Sequence, residues 1–380
     1  MCGYCNDFGK WKRKNNLMRK KTLLIILIIV VWGLALAGAI FLFTKKPTEK
    51  ICTIKYIERS DASYLFIPAT INDSVYHPVL FHTGASINYI DSVLAQKVGF
   101  NTLAMDLVKK MKSLPQISDS IALDAKMVSI GDFSKRVAFQ LNGYKGFYHI
   151  NAEYMRNAGV IMGMDFIKDY NWLFNFADTT VTISKGQIPI PALPDDQILS
   201  LNYHTKRGFA SVDLLIGDDT IRNVAFNTGL IYPTDIVGKK KYCDIVFSTA
   251  DCEAIENKPN IINNDTIKSK PRNTTKLVIH NNGIRTIFID SIQVNQLEIQ
   301  GLLAYENPDF VQTNMTSTFI SRFRMMYFDS TNRQIQLYVS PSDSTRHHRR
   351  DLQEFIYAIT KHFEEDGSLS FPGTILDLLL

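Results

Sequence analysis

The chain has 380 residues, 46% of them hydrophobic and 11% aromatic, which is typical of a globular protein with about two domains and excludes an intrinsically disordered chain. The net charge is +5, but residues 1–21 alone carry +6, so the rest of the chain is nearly neutral. The basic balance therefore belongs to one terminal segment and does not indicate a surface that binds nucleic acid.

The first predicted element is a membrane-spanning helix. Residues 22–43 contain no charge, and a helix of that length measures about 33 Å, enough to cross a bilayer. We predict a transmembrane helix over 22–44 behind a basic cytoplasmic tail, with the following domain facing outward, into the periplasm if the host is bacterial. A cleaved signal peptide is the alternative, because Ala35-Leu36-Ala37 has the small-x-small form of a cleavage site.

The sequence that follows this helix predicts a mostly β protein with few helices. A charged stalk over 45–60 is followed by short β-rich runs separated by turn residues, and by one short helix after Asp91 that ends before Gly99. The proline-rich segment 188–198 is predicted to be a linker between two lobes. We therefore divide the chain into 61–187 (first lobe), 199–340 (second lobe) and 341–380 (a tail with an amphipathic helix).

A repeated phrase indicates that the two lobes are duplicates. Val79-Leu80-Phe81-His82-Thr83-Gly84 recurs 145 residues later as Val224-Ala225-Phe226-Asn227-Thr228-Gly229. The segment from Met162 to Phe176 is likewise mirrored by the segment that begins at Met315. The position before each Thr-Gly holds His82 in one copy and Asn227 in the other, so neither copy has a carboxylate there.

These motifs resemble the pepsin and retropepsin aspartic proteases from about residue 60 to 340. The best local matches are Phe81-His82-Thr83-Gly84-Ala85-Ser86, Val160-Ile161-Met162-Gly163-Met164-Asp165-Phe166 and Phe226-Asn227-Thr228-Gly229. The resemblance implies a two-lobed, pepsin-like acid-protease fold with duplicated β-barrel-like lobes and a peptide-binding cleft between them. It also implies that Thr83, Gly84, Ala85, Gly163, Thr228 and Gly229 form the active-site loops. In the second lobe Thr316 replaces the glycine and Leu230 replaces the small alanine, so we expect a distorted half-site there.

The family's chemistry needs two carboxylates that share one proton, and His82 and Asn227 occupy those two positions. An amide cannot take up a proton at ordinary pH, so half of the pair is lost. The first hypothesis is a membrane-anchored protein that does not act as an ordinary protease and binds a peptide or protein segment in the cleft. A hydrolase that uses His82 in a non-standard pair is the second. A structural envelope or assembly role is the third.

Other candidate residues have simpler interpretations. Asp91 and Asp235 follow the two motifs, but we expect both to cap helices rather than to replace the missing acids. Cys243 and Cys252 lie nine residues apart and are a possible disulfide in an oxidising compartment. His347-His348 lies among arginines without further ligands, so no metal or cofactor is expected. The polar stretch 256–275 is predicted to be a loop over the cleft.

Overall fold

The computed structural model describes residues 23, 25–36, 50–59, 62–100, 120–142, 159–190, 197–205, 208–216, 219–236, 239–256, 276–281, 284–294 and 297–339. From residue 50 onward the described chain is mostly β, with 22 strands and four short helices, and this confirms the predicted class. The structure divides into two units, residues 1–49 and residues 50–380. The separation of the second unit into two distinct lobes stays a prediction.

The described part of the first unit is helical over 25–36, and its large apolar side chains are exposed. None of the helices among the described residues combines the length and the apolar character that a membrane crossing requires. Residues 1–21 of the predicted tail and residues 22, 24 and 37–44 of the predicted span lie outside the described residues. Residues 257–275 of the loop predicted over 256–275 lie outside them as well, and so does the tail 341–380.

A six-stranded antiparallel sheet, here called the shared sheet, joins the beginning, middle and end of the second unit. Its order is β1-β10-β9-β21-β22-β11. At its centre β9 pairs with β21, with Trp172 opposite Phe328. Its strands are β1 (Ile51–Lys55), β9 (Asn171–Asn175), β10 (Thr180–Ser184), β11 (Gln197–Asn202), β21 (Met325–Asp329) and β22 (Gln334–Val339).

The shared sheet corrects two predicted boundaries. The second half of the predicted stalk, 45–60, is not a spacer, because β1 pairs along its whole length with β10. The predicted linker, 188–198, is also attached to the shared sheet at both ends. Ile188 is buried against Leu173 and Tyr327, and β11 begins at Gln197. Apolar side chains at both places gain burial by adding to the sheet, and this outweighs the charged or proline-rich character of the segments.

A second sheet, the N sheet, contains only strands from the first half of the chain. Its order is β2-β3-β4-β8-β5-β7-β6. Strands β4 and β8 run parallel, with Leu80 opposite Ile161 and Phe81 opposite Met162. Its strands are β2 (Ile57–Arg59), β3 (Ala62–Ile71), β4 (Val75–Phe81), β5 (Asn88–Ile90), β6 (Ser120–Ile130), β7 (Phe133–Asn142) and β8 (Val160–Met162).

A third sheet, the C sheet, repeats this arrangement with strands from the second half. Its order is β12-β13-β20-β16-β19-β18-β17, and β13 runs parallel to β20 as β4 does to β8. Its strands are β12 (Ser211–Ile216), β13 (Asp219–Phe226), β16 (Ile245–Phe247), β17 (Lys276–Asn281), β18 (Ile284–Val294), β19 (Leu297–Glu306) and β20 (Asn314–Met315). Strand for strand, β3-β4-β8-β5-β7-β6 matches β12-β13-β20-β16-β19-β18. The duplication predicted from the sequence therefore extends to the order and direction of the strands.

The remaining elements are short. A separate hairpin consists of β14 (Pro233–Ile236) and β15 (Lys239–Tyr242). The helices are α1 (Ser92–Lys97), α2 (Met164–Ile167), α3 (Thr249–Glu256) and α4 (Ser317–Ile320). Asp91 caps α1 by accepting bonds from the backbone N–H of Val93 and Leu94, as predicted. Asp235 lies in β14, so the prediction that it caps a helix is wrong; the register of β14 with β15 determines this segment.

Aromatic side chains fill the space where β4 meets the centre of the shared sheet. The Phe81 ring lies edge-on to Trp172 at 5.1 Å and to Phe174 at 4.9 Å between centroids, and Phe328 lies at 6.3 Å. All four side chains are fully buried. Edge-to-face aromatic pairs add stabilisation to the burial of their area. The cluster therefore holds the end of β4, and with it His82, against the shared sheet.

Replacing Phe81 should test this role of the aromatic cluster. We expect Phe81→Ala to lower the free energy of unfolding by about 3–5 kcal/mol, because it leaves a cavity among three rings. Urea denaturation followed by circular dichroism measures the change. Tyr76, on the same strand but 65% exposed, provides the matched control, and Tyr76→Ala should cost less than about 1 kcal/mol. Similar losses in the two variants would contradict the assignment.

Candidate functional site

Two loops, the first Thr-Gly loop (residues 82–87) and the second (residues 227–232), leave the ends of equivalent strands. The first follows β4 and the second follows β13. The backbone N–H of His82 donates to the carbonyl of Met162 at 3.0 Å, and that of Asn227 donates to Met315 at 2.9 Å. Each loop therefore begins at the same point against a neighbouring parallel strand, which brings the two predicted site positions into equivalent environments.

Reciprocal hydrogen bonds lock the two loops together. The N–H of Thr83 donates to the Thr228 hydroxyl at 3.0 Å, and the N–H of Thr228 donates to the Thr83 hydroxyl at 3.2 Å. The Thr228 hydroxyl in turn donates to the Phe81 carbonyl at 2.7 Å, and the Thr83 hydroxyl donates to the Phe226 carbonyl. Both threonines are fully buried. We call this network the threonine junction; it joins the N sheet to the C sheet.

The two glycines make this close approach possible. A Cβ on Gly84 would lie 2.4 Å from Cγ of Asn227, and a Cβ on Gly229 would lie 2.3 Å from Cγ of His82. Carbon atoms do not approach so closely, so only glycine fits at either position. Each glycine therefore accommodates the side chain that precedes Thr-Gly in the opposite loop. The structure places the side chains of His82 and Asn227 next to each other, where the two loops cross.

His82 is buried without a polar partner. Its side chain is 2% exposed, and neither ring nitrogen has a hydrogen-bond partner of acceptable geometry among the described residues. Burial lowers the pKa of His82 from 6.5 to about 4, because a charged ring cannot be solvated there. The Asn227 amide beside the ring opposes this shift only in part, since no well-formed bond joins the two side chains. His82 is therefore neutral at neutral pH.

Asn227, by contrast, is held on both sides of its amide. Its Oδ1 accepts from the N–H of Gly229 at 3.3 Å, and its Nδ2 donates to Oδ1 of Asn314 at 3.0 Å. These partners define which atom is oxygen and which is nitrogen. The equivalent of Asn314 in the N sheet is Ile161, which offers no hydrogen bond. The site is consequently asymmetric, with one amide oriented by its neighbours and one imidazole without partners.

The second half-site is regular, contrary to the expected distortion. Gly163 and Thr316, which precede α2 and α4, have nearly the same extended backbone, with φ of −89° and −91°. The Ala85 carbonyl accepts from Met164 at 2.8 Å, and the Leu230 carbonyl accepts from Ser317 at 2.8 Å. A Cβ on Gly163 would lie 2.2 Å from the Ile87 carbonyl oxygen. Thr316 has room for its side chain, which donates to the Cys243 carbonyl and caps α4.

A buried ion pair behind the second loop was not predicted. Arg322 donates to Asp244 through Nε at 2.5 Å and through Nη2 at 2.6 Å, and the Asp244 carbonyl accepts from the N–H of Thr316. In the N sheet, Asn88 instead accepts directly from the N–H of Gly163 at 3.0 Å. The two halves thus support equivalent positions with different chemistry. No local spacing connects residues 244 and 322, so sequence reasoning missed the pair.

The proposed Cys243–Cys252 disulfide is not formed in the structure. Both residues are buried as separate cysteines, one after β15 and the other within α3. Burial, with a smaller contribution from Asp244, raises the pKa of the Cys243 thiol well above its usual range. A thiol in that state is a poor nucleophile for disulfide exchange.

Comparisons with known proteins give distant similarity, and only among solved structures. A scan against protein-family models finds no match, and no curated protein matches the chain. Among solved structures, the chain is similar to a retropepsin-like aspartic protease from Rickettsia conorii, with 17% sequence identity. The match covers 37% of this chain and 97% of that chain, with a TM-score of 0.26. Similarity at that level carries no conclusion about activity, which must come from the residues of the site.

The threonine junction can be tested by removing one hydroxyl. Thr228→Val keeps the shape of the side chain but leaves the Thr83 N–H and the Phe81 carbonyl without partners. We expect it to lower the free energy of unfolding by about 2 kcal/mol or more, since each buried orphan group costs about 1–3 kcal/mol. Thr228→Ser retains the hydroxyl and should recover most of the loss in the same denaturation experiment. Equal losses in both variants would exclude the hydrogen bonds as the cause.

The contact between Gly229 and His82 predicts a coupled pair of substitutions. Gly229→Ala places a methyl group against the ring and should destabilise the protein by about 1–3 kcal/mol. In the His82→Ala background that methyl group has room, so the same substitution should cost at least about 1 kcal/mol less. A double-mutant cycle of denaturation midpoints measures the coupling. Additive effects of the two changes would show that the side chains do not meet.

Proposed function

We propose that the protein is a non-proteolytic binding protein with an aspartic-protease-like site, and that it holds an extended peptide or protein segment between its two halves. One observation carries this proposal: His82 and Asn227 occupy the paired positions of the threonine junction, where a protease of this kind needs two carboxylates. All the hydrogen bonds of the threonine junction are formed, and the two side chains at the paired positions are uncharged at neutral pH. Retained architecture with altered polar groups favours binding over hydrolysis.

The proton transfers of the paired-carboxylate mechanism have no route through these residues. One member of such a pair must take a proton from water while the other donates a proton to the scissile carbonyl. Neutral His82 has a basic nitrogen, but the group opposite is an amide, which does not donate a proton to a reacting carbonyl at ordinary pH. Asn227 is in addition oriented by Gly229 and Asn314. This combination supports the first hypothesis over hydrolysis by His82.

The ligand class comes from the resemblance of the loops to aspartic proteases, in which an extended peptide lies across the paired loops. A neutral imidazole offers one donor and one acceptor, and an amide offers both as well. Such groups suit the alternating N–H and C=O groups of an uncharged peptide backbone, and because both His82 nitrogens are buried, binding through the ring requires the loops to move apart. These groups provide no charge to compensate a ligand carboxylate.

Membrane attachment forms part of the same proposal. It is supported by the uncharged run at 22–43, by the basic residues that precede it, and by the exposed apolar side chains of the helical residues 25–36. We expect the full chain to remain in the membrane fraction after alkaline carbonate extraction. Release into the supernatant would refute attachment without bearing on the binding site.

Restoring both carboxylates provides the decisive test of the site. We expect His82→Asp combined with Asn227→Asp to cleave a diverse fluorogenic peptide library at acid pH, at least about 10²-fold above the wild type, because positioned acid and base groups contribute about 10²–10⁴-fold. Each single variant has one carboxylate and should remain near the wild-type rate. Pepstatin should inhibit the double variant. Cleavage by the wild type that disappears in His82→Ala would overturn the proposal of a non-proteolytic protein.

The cleaved sequences then identify the peptides that occupy the site. Uncleavable versions of these peptides, with the scissile amide reduced, should bind the wild type in equilibrium dialysis. The wild type added in excess should also slow cleavage by the double variant, because it sequesters the substrate. An active double variant with no peptide retained by the wild type would refute binding while leaving the fold assignment intact.

A further inference from the structure

We propose that His82 makes the threonine junction acid-sensitive, so that protonation of its ring loosens the contact between the N sheet and the C sheet. The observation is the place of the ring: it lies against Gly229, next to Thr83, with both nitrogens buried and without partners. This property does not depend on whether the site binds a peptide.

No charged side chain on the two loops can compensate a positive charge on the ring, and the Asn227 amide beside it opposes the effect of burial only in part. The first loop has no other ionisable side chain, and the second has only Tyr232, whose hydroxyl accepts from Asn307 at 3.2 Å. Strands β8 and β20 have none, and neither has α4. A buried charge without a partner is among the most unfavourable arrangements in a protein interior.

Other ionisable groups on adjoining elements have neighbours of their own. The buried Asp329 of β21 accepts from the backbone N–H and the Nδ2 of Asn332. Asp165, on α2, is paired with Lys168 at 3.3 Å and is 45% exposed. On β4, the Nδ1 atom of His77 lies 2.6 Å from the Pro78 carbonyl. Asp213, on β12, accepts from the N–H of Asn223. Among the described residues no charged side chain acts on the pKa of His82, whose lowering has burial as its main cause.

The direction of the effect follows from linkage. The closed junction binds a proton on His82 only near pH 4, whereas a ring exposed to water binds it near pH 6.5. Between these values the open state binds more protons, so lowering the pH favours opening, and raising it above about 6.5 restores the closed state in full. If opening returns the ring to its ordinary pKa, the opening equilibrium increases by about 30-fold between pH 7.5 and pH 5.

Two backbone amides report directly on the junction. The N–H groups of Thr83 and Thr228 each donate across it, so their hydrogen exchange requires that it open. Exchange of the full-length protein would be followed by mass spectrometry at pH 7.5 and pH 5, with times scaled for the intrinsic exchange rates. In the wild type, we expect protection of these two amides to fall by about 30-fold at pH 5, and protection within β9 and β21 to fall much less.

Three variants make the test specific. His82→Asn cannot titrate and should show no pH-dependent loss of protection. His204→Asn removes a half-buried histidine that pairs with Asn223 at 2.9 Å, and it should behave as the wild type. Asn227→Asp places a carboxylate beside the ring, compensates its charge, and should abolish the loss between pH 7.5 and pH 5 even if His82→Asn does not fold. An undiminished loss in Asn227→Asp, or no loss in the wild type, would overturn the proposal.

Discussion

The threonine junction is the constraint on which the rest of the site depends. Each hydroxyl has one proton, which it donates to the carbonyl that precedes the opposite loop, and it therefore accepts the opposite backbone N–H with a lone pair. The N–H groups of the two threonines and the carbonyls of Phe81 and Phe226 keep these hydrogen bonds only when both threonines are present. The crossing in turn forces each glycine against the residue that precedes Thr-Gly in the other copy.

Duplication preserves backbone geometry while the side chains diverge. Gly163 and Thr316 adopt the same extended conformation, although one avoids a carbonyl contact and the other adds a cap and a hydrogen bond. The side-chain amide of Asn88 accepts from the N–H of Gly163, whereas the N–H of Thr316 donates to the backbone carbonyl of Asp244, whose carboxylate pairs with Arg322. The same divergence makes the central pair unequal, because Asn314 orients Asn227 and its counterpart Ile161 cannot orient His82. A symmetric scaffold thus produces a site with two different environments.

Local patterns predicted what depends on neighbouring residues. The repeated phrase indicated that the two Thr-Gly loops are equivalent, and the Asp91 cap and the β-rich class follow from short-range propensity. Pairing between residues far apart in the sequence could not be predicted from such local patterns. Residues 51–55 have the local sequence of a stalk but form a strand because they pair with β10. Asp235 has the local sequence of a helix cap but lies in a strand because that strand pairs with β15. Asp244 with Arg322, and Asn227 with Asn314, depend on contacts that no sequence spacing encodes.

Retention of Thr-Gly in both copies does not by itself require catalysis. Loss of either threonine would leave buried N–H and carbonyl groups unpaired, and a side chain on either glycine would collide with the opposite loop. Folding alone is therefore sufficient to preserve these four residues. The position before each threonine is under no such restriction, since an imidazole on one side and an amide on the other both fit. The chemistry of the site can change there without disturbing the junction, and a neutral pair in an intact scaffold is the outcome that this separation permits.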